Sequence, residues 1–161
     1  WTLLYDWQVP PGTKQDGSFS SDHFNSWLEK TKQISTESGH LNIALSLIGR
    51  VLFYAHPDPD GLWIHRAVAE ALNDRDGDKL RNGFTEQVFN SREVHWVDPA
   101  AKEEKELAAK YNNRAEMIEN AGYQRFAAVL RQLAKSYERE AENIIRDSAA
   151  ESFEDDEIND G

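Results

Sequence analysis

The stretch YAHPDPDGLWIH, residues 54–65, places two histidines and two aspartates within a dozen positions. Imidazole nitrogens and carboxylate oxygens are common zinc ligands, and bound zinc activates water for hydrolysis. The stretch therefore supplies one hypothesis, a metal-binding or metal-dependent hydrolytic module centred on His56, Asp58, Asp60 and His65. Against it, the two histidines lack the one-turn helical spacing that brings two ligands onto one face.

A calcium loop is excluded at the same turn. An EF-hand loop needs acids at its first, third and fifth positions, glycine at the sixth and glutamate at the twelfth. With Gly61 as that glycine, the first position is His56 and the twelfth is Ala67. We therefore expect ordinary turn chemistry, in which Asp60 caps the next helix and Gly61 relieves backbone strain. We expect no cofactor.

Other groupings resemble catalytic sites in composition only. Ser91 and His95 lie close together in NSREVHWVD, but no nucleophile elbow or glycine-rich oxyanion loop accompanies them. Because the chain has no cysteine, thiol catalysis is excluded. We expect a protein that is not an enzyme, with Arg92 paired to a carboxylate and the charged residues 102–110 forming a solvated helix face.

Five tryptophans give the chain a second kind of candidate surface. Because no basic residues interleave with them, the pattern lacks the electrostatic half of a single-strand nucleic-acid site. We expect Trp27 and Trp63 in the core, with His65 half-buried beside Trp63. Three apolar residues at the start of the chain are expected to be exposed and to bind a partner: Trp1, Leu4 and Trp7.

The charge of the chain is concentrated at its C-terminal end. From Asp147 onward there are seven acids and no base, and removing them from the net charge of −11 leaves −4 for residues 1–146. An acidic chain disfavours direct nucleic-acid binding, which depends on clustered lysine and arginine. No apolar run is long enough to cross a membrane. We expect a cytoplasmic protein whose acidic tail, residues 147–161, is disordered.

Apolar periodicity predicts six helices. The first two cover about residues 22–38 and 41–55, the third begins near Leu62, and the fourth ends near Ser91. The fifth is expected to begin with Asp98 as N-cap and Pro99 in its first turn. Short connections favour successive antiparallel pairs. The predicted fold is all-α, a six-helix bundle or a short stack of antiparallel hairpins, in one domain over residues 1–146 with a lead-in segment and loop over 1–19.

Several motifs stand in order along the chain: WTLLYDW, IGRVL, HPDPDGLWIHRAV, NSREVHWVD and YEREAENI. Together they resemble the helical C-terminal region of large, multidomain bacterial proteins, over about residues 1–147. The resemblance, with a first residue that is not methionine, implies a position at the C-terminal end of a larger protein. Because none of the groupings above completes a catalytic site, we expect a non-catalytic interaction or structural module there. Its partner would be another domain of the same polypeptide or a subunit. A further alternative is a regulatory domain of a nucleic-acid-acting or defence system, whose acidic surface contacts a basic partner.

Overall fold

The computed structural model describes residues 7–92 and 98–159, with side chains through residue 150. Within these residues there is no strand, only an isolated bridge between Thr13 and Phe19, and no helix has the length and apolarity that a membrane span requires. The predicted all-α fold is confirmed. Six helices account for most of the described residues: α1 (Ser21–Glu37), α2 (Leu41–Leu52), α3 (Arg66–Asn73), α4 (Asp78–Asn90), α5 (Lys102–Asn120) and α6 (Gln124–Asn159).

The ends of the first helix follow the sequence signals. Ser20 is the N-cap, and its side chain accepts a hydrogen bond from the backbone N–H of His23. Gly39 follows the helix with a φ of +73°, the left-handed conformation that favours glycine.

The start of α5 differs from the prediction. Its N-cap is Ala101, which has a positive φ of 50°, and no side chain caps the helix. Asp98 instead accepts a hydrogen bond from the N–H of Ala100 at 3.0 Å. The aspartate therefore closes a turn before the helix, because its carboxylate is satisfied two residues along the chain.

α2 and α4 are packed backbone against backbone. A methyl group on Gly49 would lie 2.1 Å from the carbonyl oxygen of Leu80, and one on Gly83 would lie 1.9 Å from that of Ser46. Only glycine allows two helices to approach this closely. As a result α2 packs most extensively on α4. The prediction that helices one to four form two successive pairs is therefore wrong.

α5 and α6 form the most extensive helix pair. A three-residue connection, with Gly122 at a φ of +94°, joins them, and Tyr111 stacks on Tyr137 across the pair with ring centroids 5.9 Å apart. This hairpin was predicted. Because α6 has 36 residues and α5 has 19, the C-terminal part of α6 runs past the start of α5. The domain boundary predicted at residue 146 thus falls inside α6, while the disorder predicted for 147–161 stays a prediction.

Aromatic rings join the two helix pairs. Trp63, in the loop before α3, lies with its ring centroid 5.9 Å from that of Phe126 on α6, and Phe126 meets Phe84 of α4 edge-on at 5.3 Å. At the end of α3 the side chain of Asn73 accepts a hydrogen bond from the N–H of Arg125 at 2.8 Å, which caps the start of α6. One hydrophobic core therefore contains buried residues from all six helices.

Candidate functional site

The turn at residues 56–65 is organised by Asp58, a buried carboxylate. One of its oxygens accepts a hydrogen bond from the N–H of Asp60 at 3.1 Å, and the other accepts one from the N–H of Arg66 at 2.9 Å. Burial raises the pKa of Asp58, but these two N–H groups and the nearby His65 outweigh it, so the pKa lies below its usual value. Both carboxylate oxygens of Asp58 therefore accept hydrogen bonds from the backbone.

His65 is the N-cap of α3. Its Nδ1 accepts a hydrogen bond from the N–H of Ala67 at 3.2 Å, and its Nε2 lies 3.8 Å from Oδ2 of Asp58. The ring that stacks on it belongs to Phe19, with centroids 4.3 Å apart. The predictions that Asp60 caps this helix and that it begins near Leu62 are therefore wrong. The helix begins at Arg66, and the N-cap is His65, five residues after Asp60.

The metal hypothesis finds no support in this geometry. His56 is exposed, as is the side chain of Asp60, which lies 3.4 Å from the guanidinium of Arg66. Within the described part of the chain, no three histidine, aspartate or glutamate side chains are grouped so as to hold a metal ion. Gly61 has a φ of +88°, a left-handed conformation that glycine adopts without strain, as the sequence predicts.

The serine and histidine grouping is only half described. Ser91 follows the last residue of α4, and its hydroxyl donates to the carbonyl of Val88 at 2.8 Å, as expected for a helix end. His95 and Trp96 lie outside the described residues.

Trp7 lines an open groove of about 490 Å³. We call this surface the Trp7 groove. At one side the guanidinium of Arg50 donates two hydrogen bonds to Glu86 of α4. At another, Gln87 donates to the hydroxyl of Tyr54 at 2.8 Å. The groove thus combines aromatic surface with fixed polar groups; its lining residues are Trp7, Gln8, Arg50, Val51, Tyr54, Gln87 and Asn90.

Of the three predicted partner-binding residues, the structure describes only Trp7. Trp7 is half-buried and meets Trp27 edge-on, with ring centroids 5.7 Å apart, so it is less exposed than expected. Two residues further on, Val9 is 58% exposed. Trp1 and Leu4 lie outside the described residues. Trp27 and Trp63 pack at the edge of the core, partly buried.

A buried charge cluster joins the end of α4 to α5 and α6. Arg92 donates a hydrogen bond to Glu104 at 2.7 Å and two to Glu140 at 2.9 and 3.0 Å, as predicted from its position. Glu104 is only 2% exposed, which contradicts its assignment to a solvated face. The helical spacing of acids could not show this, because the guanidinium that binds Glu104 belongs to Arg92, which lies 12 residues away and outside α5.

A second cationic group was not recognised in the sequence. The guanidinium of Arg114 lies 4.3 Å from the centroid of the Trp63 ring and 5.6 Å from that of Tyr111, and the ammonium of Lys110 lies 5.8 Å from the Tyr111 ring. The Trp63 indole donates to the backbone carbonyl of Arg114 at 3.3 Å, which fixes the loop against α5. The sequence signal was available: residues 107–115 contain two bases and no acid.

Comparison with protein-family models, with curated proteins and with solved structures found no match.

Proposed function

We propose that this chain is a non-catalytic helical interaction module that binds a protein segment in the Trp7 groove. The observation that carries the proposal is the position of Trp7 beside Arg50 and Tyr54 in one open groove. Tryptophan, tyrosine and arginine are the residues most enriched among those that dominate protein binding energies. A half-buried ring is also held in place before a partner arrives, which reduces the entropy lost on binding.

The polar groups around the ring favour a partner segment with both apolar and polar side chains. The Arg50 guanidinium is held by Glu86, and the Tyr54 hydroxyl is held by Gln87. These groups can orient a bound backbone while Trp7 covers an apolar side chain. A volume of about 490 Å³ accommodates a few side chains rather than a whole helix.

The resemblance to C-terminal regions of multidomain bacterial proteins supports a partner that is another domain of the same polypeptide or a subunit. The absence of cysteine is compatible with a cytoplasmic setting. In the alternative of a regulatory domain, the acidic surface would supply the contact. Binding to a basic partner that weakens steeply with salt and ignores Trp7 would favour that alternative.

The proposal is tested by selecting short peptides that bind the whole chain and measuring their affinities for variants. Trp7→Ala should weaken binding by about tenfold or more, as loss of a central aromatic residue does. Ile34→Ala is the matched control, because Ile34 is 55% exposed and lies outside the groove. Equal affinity for the wild type and Trp7→Ala, with both proteins folded by circular dichroism, would refute the proposal.

A further inference from the structure

Arg114 differs from the other half-buried arginines in what surrounds its charge. Arg50 and Arg92 bind carboxylates, Arg81 donates to backbone carbonyls, and Arg131 binds Glu119. In the described part of the chain, Arg114 forms no ion pair with a carboxylate.

Its neighbour Lys110 also has no carboxylate partner among the described residues. Desolvation lowers the pKa of the half-buried Arg114 and of the Lys110 ammonium, which is partly covered although the residue is exposed, and for Lys110 the charge of Arg114 lowers it further. Two adjacent bases without an acid are unexpected in a chain with a net charge of −11. Their mutual repulsion is a cost that a bound anion would remove.

The Arg114 guanidinium donates a hydrogen bond to the Tyr111 hydroxyl, and its other N–H donors are available. The guanidinium of Arg114 lies 4.3 Å from the centroid of the Trp63 ring. This cation–π contact involves the positive charge of the guanidinium. The N–H donors lie in the plane of the guanidinium and can still bind an acceptor. Lys110 is exposed and lies one helical turn from Arg114 on α5. Residues four apart on a helix are about 6 Å apart at Cβ. The pair therefore fits two carboxylates spaced by one turn of a facing helix.

We propose that Lys110 and Arg114 bind the acidic C-terminal segment of a second copy of this chain. That segment carries seven acids and no base, and its acids recur every four residues at Asp147, Glu151 and Asp155. It continues α6, which is helical to Asn159. The donors and the acids thus share one spacing and opposite charge.

The segment of the same chain does not reach this site while α6 stays helical. Tyr111, next to Lys110, stacks on Tyr137 of α6. Glu151 lies 14 residues further along α6, about 21 Å at 1.5 Å per residue. A second copy is therefore the partner, and the contact shares no residue with the Trp7 groove, so either proposal can fail alone.

The first test is a titration of the whole chain into a labelled peptide of residues 144–161. The double variant Lys110→Gln with Arg114→Gln should bind the peptide about tenfold more weakly, the effect of losing about 1.4 kcal/mol. The control is Arg75→Gln with Arg125→Gln, which removes the same charge at two exposed arginines and should leave the affinity within twofold. A peptide with Asp147→Asn, Glu151→Gln and Asp155→Asn should also bind weakly.

The second test is sedimentation of the whole chain over a range of concentrations. The wild type should self-associate, more weakly as salt rises, and the Lys110→Gln with Arg114→Gln variant should not. If that variant unfolds, Lys110→Gln alone serves, since Lys110 is an exposed helix residue. Equal peptide affinity in the site and control variants overturns the proposal. So does a chain that stays monomeric, or a site that binds inorganic phosphate and not the peptide.

Discussion

The α2–α4 pair and the α5–α6 pair are held together in opposite ways. Between α2 and α4 the decisive positions are those without side chains, where Gly49 and Gly83 let backbone carbonyls approach. Between α5 and α6 the decisive positions carry large side chains, with Tyr111 stacked on Tyr137 and the guanidinium of Arg92 5.4 Å from the Tyr137 ring. The α2–α4 contact has no room for an added side-chain atom. The α5–α6 contact can accommodate a substitution, because its side chains can change rotamer.

This difference predicts how each pair responds to substitution. A backbone contact has no rotamer with which to relieve a clash, so the helices themselves must separate. A side-chain contact loses only the interactions of the group that is changed, unless a buried charge is left behind. The same logic orders the expected effects from the α2–α4 pair to the α5–α6 pair.

The largest effect is expected for Gly83→Ala. In an ordinary helix this change stabilises by about 1 kcal/mol, but here the new methyl group would lie 1.9 Å from the carbonyl oxygen of Ser46. We expect a loss of more than about 4 kcal/mol in the free energy of unfolding, measured by urea denaturation. Asn82→Ala is the control, since Asn82 is the exposed neighbour on the same helix and should change stability by less than about 0.5 kcal/mol. A Gly83→Ala protein as stable as the control would show that α2 and α4 are not in backbone contact.

The same contrast explains which parts of the fold could be predicted from the sequence. The α5–α6 hairpin was predicted because apolar residues repeat along both helices and a short turn joins them. The partner of α2 was missed because Gly49 and Gly83 carry no hydrophobic signal, and a glycine inside a helix was given no packing role. Which glycines meet is a property of three-dimensional packing rather than of local pattern.

For the candidate sites the sequence predicted residue types better than roles. It singled out Trp7, which lines the groove, and Arg92, which binds carboxylates. It grouped Asp58 with His65 as a possible metal site, whereas both cap the start of α3. Asp58 is paired with N–H groups of residues two and eight positions along the chain, and a loop that folds back in this way has no periodic signature.

A smaller effect is expected for Arg92→Met, which keeps an unbranched apolar stem like that of arginine and removes the guanidinium and its charge. Glu104, only 2% exposed, would lose the guanidinium that donates to it at 2.7 Å. We expect the free energy of unfolding to fall by about 3 kcal/mol, as when one partner of a buried pair is removed. The measurement is again urea denaturation near neutral pH.

A double variant separates the lost charge from lost packing. Adding Glu104→Leu to Arg92→Met removes the buried carboxylate as well, and we expect it to restore at least half of the lost stability. If the double variant is less stable than Arg92→Met, the acid is not the source of the destabilisation. The α5–α6 contact would then depend on the shape of the arginine rather than on its charge.

The smallest effect at neutral pH is expected for Tyr137→Phe. Tyr137 is fully buried, and its hydroxyl has no hydrogen-bond partner among the described residues. Removing an unpaired hydroxyl should change the free energy of unfolding by less than about 1 kcal/mol. By contrast, Tyr54→Phe removes a hydroxyl that accepts a hydrogen bond from Gln87 and should destabilise more.

The free energy of unfolding at alkaline pH should depend on the buried Tyr137 hydroxyl. Burial raises the pKa of Tyr137 from 10.0 to about 12. Between these two pH values the unfolded chain releases the Tyr137 proton and the folded chain keeps it. The contribution of Tyr137 to the free energy of unfolding is therefore fully present below pH 10 and is lost as the pH rises towards 12. Burial also raises the pKa of Tyr111, so Tyr137→Phe should reduce this pH dependence without abolishing it. The measurement is urea denaturation at a series of alkaline pH values, with tyrosinate absorbance recorded alongside. If Tyr137→Phe and the wild type lose the same free energy of unfolding over this pH range, the Tyr137 hydroxyl is not buried between α5 and α6. The α5–α6 pair would then not depend on the buried side chain that distinguishes it from the α2–α4 pair.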